Sequence, residues 1–199
     1  MYPDGFPGYK HGGSDTGGHE MDVLSKLEQE HREVEAMLGK LAESDEGPER
    51  QSLVEELTLA LTTHMKVEER FVYPIVKDVV GDEEEQEAEN EHQLAREGLS
   101  KLGQLVSEPG FGAAVDMVKA GIKHHVDDEE GEIFPELREK ASDRIDALGD
   151  PDELEAEVKS GSTFDDGETK QELYEQAKEA DIPGRSNMSK DELREALDR

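Results

Sequence analysis

Two pairs in this chain have the spacing needed to present a nitrogen and an oxygen to one cation: His64 with Glu68, and His125 with Glu129. Residues four apart on a helix point the same way, about 5–6 Å from one another, so each pair makes a two-donor claw if its segment is helical. His31 and His92 stand singly, each in the middle of an otherwise apolar helical stripe. Four imidazoles and two carboxylates suit iron, zinc or manganese, and donor type alone does not choose among these metals or between one ion and two. One His-x-x-x-Glu by itself is a common feature of solvated helices. Four histidines at one level of four apolar seams are different, because burying them beside two acids without a ligand would cost several kcal/mol of desolvation.

Apolar residues spaced alternately by three and four define the elements that must position this set. Leu24, Leu27, His31, Val34, Leu38 and Leu41 form the first stripe, and Leu53, Leu57, Ala60, His64, Glu68, Phe71 and Ile75 the second, where Pro74 predicts a kink or restart. Ala88, His92, Ala95, Leu99, Leu102 and Val106 form the third, and Val118, Ile122, His125, Glu129 and Ile133 the fourth, with Pro135 near its end. Short polar or glycine-containing connections separate them, which predicts an all-α protein built as an up-down four-helix bundle.

The second half of the bundle repeats the first at an offset of 61 residues: His31 matches His92, His64 matches His125, Glu68 matches Glu129, and Pro74 matches Pro135. The flanks agree as well, with Glu28, Glu30 and His31 recurring as Glu89, Glu91 and His92. Two helical hairpins related by a pseudo-two-fold axis follow, dividing the donors into two imidazoles per metal with both carboxylates free to bridge. His124 also has an acid four residues on, Asp128, but the register set by the two prolines selects His125. Glu69 and Glu130, each next to a bridging candidate, read as groups that orient the ligands or face solvent.

Composition narrows the field. Only 33% of residues are hydrophobic and 37% are charged, which fits narrow cores between amphipathic helices. The balance of 52 acidic against 22 basic residues gives a formal charge of −30, which repels nucleic-acid phosphates and anionic membranes. With no cysteine, disulfides, thiolate metal sites and thiol catalysis are excluded. No apolar run reaches the roughly eighteen residues of a membrane span, and the N-terminal stretch lacks the apolar core of a signal peptide, so a soluble cytoplasmic protein is expected.

Residues 1–19, rich in Gly, Asp, Tyr and Pro, read as a flexible tail, and 20–140 as the bundle. Short accessory helices are expected over 141–158 and a linker over 159–168. Residues 169–199 carry two helix-start signatures, Thr169 with Glu172 and Ser189 with Glu192, separated by the Ile182, Pro183, Gly184 turn. This small helix-loop-helix module resembles the N-terminal module of transcription termination factor Rho and the SAP modules, which would imply nucleic-acid contact. Its six basic against nine acidic residues from Gly167 onward argue for a protein partner or a spacer instead.

The full set of His31, His64-x-x-x-Glu68, His92 and His125-x-x-x-Glu129 resembles the hemerythrin-like HHE cation-binding family, over roughly residues 21–140. The resemblance implies a non-haem di-iron centre with two irons per chain joined by an oxo or hydroxo bridge. His31 and His64 would hold one iron, His92 and His125 the other, and Glu68 and Glu129 would bridge. It implies O2, hydrogen peroxide or nitric oxide as the small-molecule partner, and leaves room for a catalase-like decomposition of peroxide. One departure is Arg96, which stands where oxygen-carrying hemerythrins have a fifth histidine. That argues against reversible O2 carriage and for a reactive or sensing centre, with Arg96 expected to pair with an acid. A non-catalytic iron or oxygen sensor acting through the C-terminal module is the alternative.

Overall fold

Asp22 starts the first helix by accepting a hydrogen bond from the Ser25 backbone N–H at 2.7 Å, and α1 then runs over Val23–Glu43. In the computed structural model, residues 21–160 are described, together with 176–178, 180, 182, 185, 188 and 196–197. The expected tail over 1–19 and, apart from those few positions, the linker past Ser160 and the 169–199 module lie outside the described residues.

Pro48 opens α2 (Pro48–Val67), where its missing N–H has no intrahelical partner to lose. A π-helical turn over Glu68–Val72 joins α2 to α3 (Tyr73–Val79). Four acids fill the first turn of α4 (Asp82–Leu105), where they face the positive end of the helix dipole. Gly110, at φ +98°, takes a conformation few other residues tolerate and reverses the chain into α5 (Phe111–Asp128). A second π-helical turn, Glu129–Ile133, leads into α6 (Phe134–Lys140). The long rods α1, α2–α3, α4 and α5–α6 pack side by side as the all-α bundle expected from the periodicity, and no strand occurs among the described residues.

Both π turns fall at equivalent places in the repeat. The Tyr73 N–H bonds to the Glu68 carbonyl and the Phe134 N–H to the Glu129 carbonyl, each five residues back. Each extra residue sits just ahead of a proline, which has no N–H to continue an ordinary ladder, so the rod passes through Pro74 and Pro135. The widened turn also rotates the inward face. Phe71, on the inner stripe by simple spacing, is only partly buried, whereas Val72 and Tyr73 are sealed in, as are Ile133 and Phe134 in the second half.

Two apolar cores result. One, with Leu24, Leu27, Val76 and Leu137, lies toward α3 and α6; the other, with Leu38, Leu57, Leu102 and Phe111, lies toward the opposite end. The four seam histidines and two seam glutamates sit buried between them. Two short helices, α7 (Ser142–Asp146) and α8 (Pro151–Ser160), close over the first core through Ile145 and Leu154. Lys26 holds α8 by ion pairs with Asp152 at 3.0 Å and Glu155 at 3.2 Å. No helix among the described residues is long and apolar enough to cross a membrane.

Helices α4 and α5 pack tightly at Gly98, where an added Cβ would stand 2.6 Å from Val118 Cγ2. Gly39, inside α1, has nothing within 4 Å of the same atom. Gly98→Ala is therefore expected to destabilise the fold by about 1–3 kcal/mol through overpacking. Gly39→Ala should stabilise it by about 0.5–1 kcal/mol through helix propensity alone. Urea denaturation midpoints of the two variants would move in opposite directions.

Candidate metal centre

Four rods carry one imidazole each to the same level: His31 from α1, His64 from α2, His92 from α4 and His125 from α5. The rings pair off, with His31 Nε2 3.0 Å from His64 Nε2 and His92 Nε2 3.3 Å from His125 Nε2. Glu68 reaches both pairs, placing Oε1 3.2 Å from His64 Nε2 and Oε2 3.2 Å from His92 Nε2. Glu129 sets Oε2 3.4 Å from both His31 Nε2 and His125 Nε2. All six residues singled out by the repeat thus meet in one buried layer.

The outer nitrogens of the rings explain how the inner ones are aimed. His64 Nδ1 lies 2.8 Å from Glu30 of α1, and His92 Nδ1 lies 2.9 Å from Glu69 of the first π turn. His125 Nδ1 lies 3.0 Å from Glu91 of α4, and His31 Nδ1 lies 2.8 Å from Glu130 of the second π turn. Each rod therefore lends a carboxylate to the histidine of the next, and the fourth returns to the first, closing a ring. A carboxylate can only accept, so every Nδ1 carries a proton and donates it. In the neutral imidazole the Nε2 is then a bare lone pair, and all four lone pairs converge on the two inner carboxylates.

Such an arrangement calls for a cation. Both oxygens of Glu68 and Oε2 of Glu129 are buried and face only the Nε2 atoms of the imidazoles, a costly state unless something positive lies between them. Without a metal, protons take that place. Burial opposes a charge on His64, but the Glu68 carboxylate and the bond to Glu30 outweigh it and push its pKa up to about 10. His92 is buried too, yet its bonds to Glu68 and Glu69 raise it to about 9. Burial works against the Glu68 carboxylate as well, and the facing His64 and His92 hold its pKa well below the usual range.

The two halves of the site are not identical. Tyr73 is fully buried, with its hydroxyl 2.9 Å from His92 Nε2 and donating to Glu129 Oε1 at 3.1 Å. Burial, followed by the charges of Glu129 and Glu68, drives its pKa well above the ordinary tyrosine value, so it keeps its proton. The equivalent residue 61 positions on is Phe134, which stacks on His31 with ring centroids 6.1 Å apart and places no hydroxyl there.

Sequence reasoning did not pick out Tyr73, Glu30 or Glu91 as parts of the site. The acids were visible as flanks repeated at the 61-residue offset, and Tyr73 is carried inward only by the π turn. Arg96 does pair with an acid: its Nη2 donates to Glu69 Oε1 at 2.5 Å, the same oxygen that holds His92. Arg32 donates likewise to Glu130. His124 stays on the surface, 64% exposed, 3.0 Å from Asp128.

The family model for the hemerythrin HHE cation binding domain matches residues 22–137. A protein named DNA nickase, from Nostoc sp. (strain PCC 7120 / SAG 25.82 / UTEX 2576), is 25% identical over 131 residues. That match covers 65% of this chain and only 37% of the Nostoc protein. No solved structure matches the chain. The family match spans more than half of the chain and encloses every residue of the buried histidine and glutamate layer, so the protein belongs to the hemerythrin HHE cation-binding family.

Proposed function

We propose that this chain is a non-haem di-iron protein that reacts with or senses O2, hydrogen peroxide or nitric oxide. His31 and His64 hold one iron, His92 and His125 the other, and Glu68 and Glu129 span the two. The observation that carries this reading is the facing of the Nε2 atoms, 3.0 Å apart in one pair and 3.3 Å in the other, around the buried carboxylates of Glu68 and Glu129. Bound iron supplies one-electron steps and a Lewis-acidic face for a diatomic molecule or a peroxide.

The chain's own residues do the rest. Glu30, Glu69, Glu91 and Glu130 fix the tautomer and tilt of each ring and make it a more basic donor. Tyr73 holds a proton at Oη beside His92 and Glu129, and can lend a hydrogen bond to a polar group that comes to that half. The two flanking cores keep bulk water from the layer. The nicking activity in the Nostoc protein's name does not carry over to this reading, because 52 acids against 22 bases repel a phosphate backbone.

Purified protein, loaded anaerobically with ferrous ion, should hold two irons per chain and develop a near-ultraviolet charge-transfer absorption on exposure to air or peroxide. Protein that takes up no iron, or that binds it without developing this absorption, would sink the assignment. Because His64 and His92 keep protons up to about pH 10 and 9 in the metal-free state, a metal must displace protons near neutrality. Apparent metal affinity should rise with pH from about 6.5 toward 9, with proton release measurable in a weakly buffered titration. Glu91→Ala, which frees His125 Nδ1, should lower metal affinity by about 10–100-fold while the helical circular dichroism is kept.

A further inference from the structure

Helices α4 and α5, with α2 behind them, enclose a cleft of about 530 Å3 that opens to solvent. His92 and His125 form part of its lining, and His125 is the most exposed of the four buried imidazoles, with 6% of its side chain accessible. The cleft is therefore where the sealed layer comes closest to the outside. Its walls include Met65, Val118 and Ile122, and its outer edge Leu94 and Met117, which are 66% and 57% exposed.

A diatomic gas or hydrogen peroxide would fill a small fraction of this space, which falls in the range of roughly 300–1,000 Å3 typical of sites for small organic molecules. The apolar walls favour an apolar occupant. Charge disfavours an anionic one: the chain carries −30 overall, and the cleft's ionisable groups, Glu91, Glu97, Lys101 and His124, give it no net positive patch. An apolar body without negative charge and a group reactive toward iron are combined in an organic hydroperoxide.

We propose that the α4–α5 cleft binds the apolar part of an organic hydroperoxide, and that this class of peroxide, rather than hydrogen peroxide, is the substrate of the His92–His125 half. The proposal rests on the peroxide reading of the di-iron site. In the reaction the O–O bond breaks, two protons are taken up, and the products are the alcohol and water; the di-iron centre would supply the two electrons, and a one-electron donor would restore them. The apolar group stays in the cleft throughout, and Tyr73, on the same half, stands within hydrogen-bond distance of His92.

Gly121 lines the cleft and has open space where a Cβ would stand, so Gly121→Leu fills the site without touching a candidate ligand. Two measurements test the proposal. First, metal-free protein should bind 2-phenyl-2-propanol, the alcohol from cumene hydroperoxide, seen as NMR shifts in α4 and α5 that vanish in Gly121→Leu. Second, diferrous protein should be oxidised by cumene hydroperoxide about tenfold faster than by hydrogen peroxide, since only the former buries an apolar group, and Gly121→Leu should abolish that preference. Oxidation by both peroxides at equal rates, unchanged in Gly121→Leu, overturns the cleft assignment and leaves the di-iron reading intact. Failure of both peroxides to oxidise the iron overturns the proposal together with the peroxide reading it rests on. A chain that binds no alcohol but forms dimers broken by Met117→Ser shows the cleft to be an interface between copies, and also overturns the proposal.

Discussion

A carboxylate that accepts a hydrogen bond from Nδ1 decides the state of the far side of the same imidazole. Four such bonds, each between neighbouring rods, make the layer at the middle of this bundle what it is. They leave the inner nitrogens as donors toward a cation, and because they run around the bundle in a closed circuit they also fix how far each helix may rotate about its own axis. Turning any one rod would break two of the four bonds and carry an ionised or polar group into an apolar core. The apolar residues above and below are consistent with that single rotation, so the site and the fold impose the same register.

The acids of the circuit are themselves tethered. Arg96 and Arg32 pin Glu69 and Glu130, the two circuit acids that sit on the π turns. Those turns have a separate role, since each places a glutamate between two histidine pairs and then lets the chain continue through a proline. In an ordinary α-helix, a proline at that place would collide with the preceding turn and leave a carbonyl without its partner. The wider turn resolves the conflict beside the polar layer, where a change of inward face also brings Tyr73 and Phe134 into position.

Most of this was legible in the chain. The four rods, their order and the six converging side chains follow from apolar spacing and from the 61-residue repeat, because burial of an amphipathic stripe leaves a histidine in its middle no other direction to face. The π turns were not legible, since spacing alone assumes a constant 3.6 residues per turn, and with them went Tyr73 and the true inner neighbours of Phe71. Glu30 and Glu91 were in view only as repeated flanks, for in a chain with 52 acids one more glutamate carries no signal until its partner across the bundle is known. Arg96 was readable for the opposite reason: an arginine on so acidic a helix had to find a carboxylate.

A site assembled from two like hairpins has no inherent direction, since whatever one half offers the other offers too. The single oxygen atom that distinguishes Tyr73 from Phe134 ends that equivalence. On one side the layer carries a hydroxyl that donates to Glu129, on the other only a flat hydrocarbon face. A duplicated scaffold can in this way keep the economy of a repeated plan for folding while acquiring a front and a back for chemistry.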